Sequence, residues 1–199
     1  MELSLNTTMK FFPILILPFL ISGCSTIATG IAEITGLSLL HDRRTSETLL
    51  NDERIEINAG IELNSNEDTR KKCHFNITAY NGTVLITGEA PTETLRQKII
   101  SIVRIIPGVK LIHNELKLAP LSSLATRSYD TLITTKVKSA LSKVKNLPGF
   151  DATRVKVITE SGTVYLLGLV HKNEGHVATE IARRENGVKQ VVKIFEYID

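Results

Sequence analysis

The chain has 199 residues, a length that suits one or two small domains, and 42% of them are apolar, enough to bury a core. Its formal charge of +3, from 24 bases and 21 acids, is mild and mixed, unlike the block of positive charge expected of a nucleic-acid binder. It still favours an anionic surface at short range.

The first element is an apolar run from Phe11 to Ile21. It is too short to cross about 30 Å of hydrocarbon, which takes roughly 20 helical residues, and it fits the hydrophobic part of a signal peptide. The run closes on Leu20-Ile21-Ser22-Gly23-Cys24, which resembles a bacterial lipobox. That resemblance implies cleavage before Cys24 and a mature chain that starts there. Residues 1–23 are then a lipoprotein signal peptide, and Cys24 carries S-diacylglycerol and an N-acyl chain such as palmitate. Each buried methylene contributes about 0.8 kcal/mol, so two or more chains anchor the protein stably. Ser25 follows, where Asp resembles an inner-membrane retention signal in enterobacteria-like systems. Its absence implies the outer membrane, with the protein on the periplasmic side. Residues 1–8 carry Glu2 and no base, whereas Met9-Lys10 makes a conventional positive start, so translation from Met1 and from Met9 are both open. An uncleaved anchor or a buried core strand is the alternative to the signal segment. Removing residues 1–23 removes Lys10 and Glu2 and leaves the charge unchanged. One thiol then remains, Cys73, which cannot form an internal disulfide.

Residues 24–45 read as the acylated N-terminus and tether, with an Ala/Ile/Gly-rich part less polar than most linkers. A helix is predicted near 51–63. β-Rich runs at 73–80 and 83–88 flank a hairpin turn at Asn81-Gly82. Thr92 is placed to cap a helix whose apolar side is Leu95, Ile99, Ile102, Val103 and Ile106. Gly108 stops that helix, and a strand follows over 109–118. Residues 119–126, with Pro120, Ser122 and Ser123, read as a linker. The pattern then recurs: a helix near 130–145, strands at 154–160 and 163–170 around Ser161-Gly162, a helix over 173–185 with Val177, Ala178 and Ile181 inward, a stop at Gly187, and a strand over 188–198.

The recurrence is literal. Tyr80-Asn81-Gly82-Thr83-Val84-Leu85-Ile86-Thr87-Gly88 matches Glu160-Ser161-Gly162-Thr163-Val164-Tyr165-Leu166-Leu167-Gly168 at an offset of 80, and Pro107-Gly108-Val109-Lys110 matches Asn186-Gly187-Val188-Lys189 at 79. A period this long fits two copies of a small domain, not a solenoid. The expected fold is α+β: two tandem domains, 46–118 and 127–199, each a three-stranded sheet packed by two helices in αββαβ order.

The Gly-Thr-Val turn and strand, the Gly that closes that strand, and the Gly-Val-Lys that enters the last strand resemble the BON domain, and they are present twice. A lipobox followed by two BON domains resembles the DolP family of outer-membrane lipoproteins. The likeness is strongest at Asp130-Thr131-Leu132-Ile133-Thr134-Thr135-Lys136-Val137, over 155–169 and at Gly187-Val188-Lys189, and it covers nearly all of the mature chain. It implies a non-enzymatic protein that supports outer-membrane integrity and binds anionic phospholipid through its second BON domain. Leu132 stands where the family pattern has Trp. Leucine still inserts into lipid but lacks the amphipathic indole suited to the headgroup zone.

The residues of the helix near 130–145 divide into two stripes. Ile133, Val137, Ala140, Leu141 and Val144 follow the helical period and face the core. Leu132, Lys136, Ser139 and Lys143 form a second stripe, with Tyr129 and Arg127 at the helix entrance. An apolar tip followed by two lysines suits a headgroup surface. Each base near an anionic surface contributes about 1 kcal/mol; such weak binding counts because the anchor supplies high local concentration. The plain alternative is a solvated helix flank, since exposed Lys and single exposed Leu are ordinary.

Catalytic patterns are absent. His41, His74, His113, His171 and His176 are scattered, and His171 and His176 lie about 140° apart on a helix. There is no Cys-x-x-Cys, His-Glu-x-x-His or Gly-rich phosphate loop. Cys73 reads as a buried, inert thiol, with His74 on the opposite face of its strand. No enzyme, metal or separate cofactor is expected. The expected partner is an anionic phospholipid membrane, with no nucleic acid. The second reading is an adaptor whose sheet face or edge strand docks outer-membrane assembly or peptidoglycan-remodelling proteins.

Overall fold

The computed structural model describes residues 41–199; Cys24 and the signal segment lie outside them. Helix α1 (Ser46–Ser65) begins behind Thr45, whose hydroxyl accepts the Thr48 amide at 3.1 Å. Its buried residues Ile55, Ala59 and Leu63 recur every four, one face of a helix. A short α2 (Glu67–Lys72) follows, which the sequence pattern did not reveal: six charged or polar residues carry no apolar period. Acids in its first turn and bases in its last complement the helix dipole instead.

Strands β1 (His74–Tyr80) and β2 (Thr83–Ala90) pair antiparallel; α3 (Glu93–Arg104), capped by Thr92, returns the chain to β3 (Leu111–Leu118), parallel to β2. The second copy repeats this with α4 (Leu124–Leu141), β4 (Lys156–Glu160), β5 (Thr163–Val170), α5 (Lys172–Arg184) and β6 (Gln190–Tyr197). The sheets are ordered β1-β2-β3 and β4-β5-β6. The αββαβ fold with three strands and two principal helices per copy is therefore present twice.

Helix α4 starts at Leu124, inside the stretch read as a linker. The serines there are a cap: the Ser123 hydroxyl accepts the Thr126 amide at 3.1 Å. The helix also ends at Leu141, short of 145, and turns through Ser142. Gly88 and Gly168 do not close their strands. Each lies within its strand where the preceding segment crosses closely, and a Cβ would collide with the carbonyl oxygen of His74 or Arg154.

The two repeated motifs meet at one place. Asn81-Gly82 and Ser161-Gly162 have φ of 51° and 78°, and of 52° and 79°, as a two-residue hairpin turn with both central residues left-handed requires. The Lys110 amide donates to Gly82 O at 2.9 Å and the Lys189 amide to Gly162 O at 2.8 Å, so Gly-Val-Lys closes on Gly-Thr-Val. An aspartate from the first helix of each copy holds the turn. Asp52 accepts the Asn81 and Gly82 amides at 2.7 and 2.8 Å, and Asp130 accepts those of Ser161 and Gly162, both at 2.8 Å.

Each sheet packs its helices on one face. The first core joins Ile55, Leu63, Val84, Ile86, Ile99 and Val103; the second joins Ile133, Val137, Val164, Leu166, Ala178 and Ala182. Residues that alternate with these point the other way. Tyr80, Leu85, Tyr165, Leu167 and Ile194 form a third core between the two sheets. The copies thus share an apolar interface. Polar contacts reinforce it: the Leu169 amide donates to the Tyr80 hydroxyl at 3.2 Å, and Lys156 pairs with Glu56 at 2.9 Å. Residues just before α1 strap across both copies. Arg43 donates to Leu169 O at 3.0 Å and forks onto Glu174 at 2.6 and 2.9 Å, while Arg44 pairs with Asp52 at 2.9 Å and stacks 3.8 Å over the Tyr80 ring.

Candidate functional site

Helix α4 turns Asp130, Ile133, Val137 and Leu141 inward at three- and four-residue spacing. That fixes what it shows outward. Leu132 is 56% exposed, Tyr129 50% and Leu124 79%. Lys136 and Ser139 are exposed on the same side. At about 100° per residue, Tyr129, Lys136 and Ser139 all fall within roughly 60° of Leu132. The structure therefore gathers Tyr129, Leu132, Lys136 and Ser139 on one strip. Lys143 does not belong to it. The helix ends before it, and Lys143 lies exposed in the following turn, beside a shallow groove with Ala140, Val144 and Ile181. Val144 likewise lies past the helix end and is only half-buried, as is Ala140, so the helix's core face is Ile133, Val137 and Leu141.

Arg127 is turned back onto the chain, donating to the Ser122 hydroxyl and carbonyl, both at 3.1 Å. It orders the approach to α4 and is not a ready headgroup ligand. The exposed hydroxyls of Thr131 and Thr135 donate to Arg127 O at 3.1 Å and Thr131 O at 2.9 Å. Polar groups satisfied within the helix cost less to cover than ones that must give up water.

The first copy offers a contrast. Leu50, Ile57 and Ile61 are exposed on α1. That helix carries Glu47, Asp52, Glu53, Glu56 and Glu62 against Arg54 alone. Helix α4 carries Arg127, Lys136 and Lys138 against Asp130 alone.

Cys73 is buried, and burial pushes its thiol up, away from the reactive thiolate. His74 leaves the other side of the strand. It meets Glu89 of β2 at 3.1 Å and Glu160 of β4 at 3.9 Å. Burial, then the neighbouring carboxylates, raise the pKa of Glu160 against the opposing pull of His74 and Asn76. The histidine scatter in the sequence hid this grouping, because two separate strands and two domains build it. The available signal was an acid inside an otherwise apolar strand, Glu89 in Thr-Val-Leu-Ile-Thr-Gly-Glu-Ala.

The BON domain model matches residues 51–120 and 129–199. The outer membrane lipoprotein DolP of Haemophilus influenzae is 32% identical over 182 residues, covering 90% of this chain and 91% of that protein. The chain belongs to the DolP family of BON-domain outer-membrane lipoproteins. Another relative, the 21 kDa hemolysin of Actinobacillus pleuropneumoniae, is 34% identical over 160 residues, 79% of each chain. Among solved structures, the C-terminal domain of CdsD, the structural protein of the type III secretion system of Chlamydia trachomatis, aligns with a TM-score of 0.30 and 13% identity over 74% of this chain and 67% of that one. Among the described residues of this DolP-family chain, no helix is long and apolar enough to cross a membrane.

Proposed function

We propose that the protein is anchored through acylated Cys24 on the periplasmic side of the outer membrane and lays α4 on anionic phospholipid, and that this contact helps maintain the membrane. The observation that carries the reading is the outer strip of α4. Leu132 and Tyr129 supply insertion and headgroup-level contact, while Lys136 meets phosphate oxygens. Ser139 adds a hydroxyl on the same strip, and Lys143 adds charge from the adjoining turn. The role is one of binding, without catalysis.

Flotation of the non-acylated chain, beginning at Ser25, with phosphatidylglycerol-containing or purely phosphatidylcholine vesicles tests the reading. Flotation with the first and not the second is expected. Equal flotation with both, or with neither, overturns the reading.

The adaptor reading has one observation of its own, the exposed apolar face of α1 formed by Leu50, Ile57 and Ile61. It cannot use the open face of either sheet, because those faces are buried against each other. It would rest on α1 or on the edge strands β1, β3, β4 and β6, and its partners would be assembly or peptidoglycan-remodelling proteins.

A further inference from the structure

His74 and Glu89 are direct cross-strand partners at the end of the first sheet, and Glu160 closes β4 of the second domain. Both glutamates are only 3% exposed. The His74 Nδ1 atom lies 3.1 Å from Glu89 Oε2 and 3.9 Å from Glu160 Oε1, and all three donor atoms fall within 4.8 Å of one another. Two carboxylates so close in a buried place repel each other.

The surrounding hydrogen bonds aim these groups without saturating them. Asn76 Nδ2 donates to Glu160 Oε2 at 3.1 Å, and the Ser122 amide donates to Glu89 Oε2 at 3.2 Å. The Ser161 hydroxyl donates to Glu89 Oε1 at 3.4 Å. Glu160 Oε1 faces the imidazole and accepts no hydrogen bond among the described residues. On the same face of β2, two positions from Glu89, the buried Thr87 Oγ1 is also without a hydrogen-bond partner.

We propose that His74, Glu89 and Glu160 bind one divalent transition-metal ion, zinc by ligand type, which ties the two BON domains together. Zinc takes nitrogen and carboxylate oxygen at about 2.0–2.2 Å, which sets tetrahedral donors roughly 3.3 Å apart. The His74 distances of 3.1 and 3.9 Å bracket that spacing. Hydrogen bonds from Asn76, the Ser122 amide and Ser161 orient the two carboxylates for an ion between them. A cleft of about 470 Å³, lined by His74, Asn76, Thr134, Lys138 and Glu160 among others, opens onto two of the three residues and is roomy enough for a water to complete the ion's coordination. The ion would offset the carboxylate charge and link β1 and β2 to β4, and thus the first domain to the second.

The test uses the purified acylated chain in detergent. Dialysis against zinc chloride, followed by metal analysis and titration against a chromophoric chelator, should give one zinc per chain. Glu160→Gln and Glu89→Gln should each weaken that zinc at least about tenfold, while His176→Gln, on the exposed side of α5, leaves it unchanged. No stoichiometric zinc, or variants that bind as the parent does, overturns the proposal. Should the variants not fold, zinc X-ray absorption on the parent chain decides independently. One imidazole with otherwise oxygen donors supports the site, and two imidazoles or any sulfur ligand refutes it.

Discussion

Helices α1 and α4 open the two BON domains in the same way. Each starts behind a Thr or Ser cap, buries one apolar face and lends an aspartate to the hairpin turn. Both also leave large apolar residues in water. They part in charge: five acids and one base on α1, three bases and one acid on α4. The inward face is under the same constraint twice, because the same sheet lies beneath it. The outward face is unconstrained by the fold, so its difference points to function. An apolar strip set beside acids is repelled by anionic phospholipid, and one that carries Lys136 is drawn to it.

The largest effects should come from what the two helices share. Ile133 is fully buried, and Ile133→Glu would place an unpaired carboxylate in the core. We expect loss of the native near-ultraviolet circular dichroism of the domain. Asp130→Ala leaves two turn amides without their acceptor and should cost about 3 kcal/mol or more in urea denaturation, since each hydrogen bond to a charged group contributes roughly 1.5–3 kcal/mol. Asp52→Ala should cost more than Asp130→Ala, because Asp52 also pairs with Arg44 at 2.9 Å. Equal costs would mean that the strap before α1 adds nothing to the turn.

The next effect should separate the helices. Leu132→Glu removes an inserting side chain and sets negative charge against phosphates. It should reduce flotation with anionic vesicles at least about tenfold, each tenfold being about 1.4 kcal/mol, without changing the urea midpoint. Ile57→Glu is the matching change on α1 and should leave flotation unaltered. If the two variants behave alike, the charge difference between the helices does not choose the membrane-facing side.

Much of this was legible in the chain. The Gly-Thr-Val and Gly-Val-Lys repeats mark the strands and turns because hairpin turns are local chemistry. The glycines do not stop the helices, however: α3 ends at Arg104 and α5 at Arg184, and Gly108 and Gly187 lie in the turns that follow. Leu132 and Lys136 were legible because a helix has one period and the inward residues fix the outward ones. What was not legible required tertiary information. Lys143 fell off the strip because α4 ends at Leu141, a matter of how the chain turns through Ser142. In the sequence the sheet faces read as available for docking, whereas Leu85, Tyr165 and Leu167 form a core between the domains. His74 and Glu160 are 86 residues apart in the sequence, and no spacing rule joins them.

Lysine changes should grade the strip more finely. Lys136→Gln removes one base close to Leu132 and should weaken anionic-vesicle binding about fivefold, the equivalent of about 1 kcal/mol. Lys143→Gln should weaken it less, because that side chain lies beyond the helix. Both losses should shrink in high salt, where exposed charges are screened beyond about 8–10 Å. Vesicle titrations at two salt concentrations would resolve the order, and a larger loss at Lys143 would move the contact toward the turn after α4.

The smallest effect concerns the strap and appears only in acid. Burial pushes the Glu174 carboxyl up, but hydrogen bonds from Arg43 and the His171 amide and the nearby positive charge outweigh it, so the folded value lies below the ordinary 4.5. A carboxyl with a depressed folded pKa contributes stability above its unfolded pKa and loses it as pH falls through the folded one. The contribution of the Arg43–Glu174 pair is therefore complete above about pH 5 and fades below 4.5. Arg43→Gln removes the main cause of the depression. Its urea midpoint should lie below that of the parent at pH 7, and the gap should narrow as pH falls from 5 to 3. A gap independent of pH would mean that Arg43 acts through its bond to Leu169 O and not through the carboxylate. The strap would then be a backbone clasp between the copies, and charge would separate them only at α1 and α4.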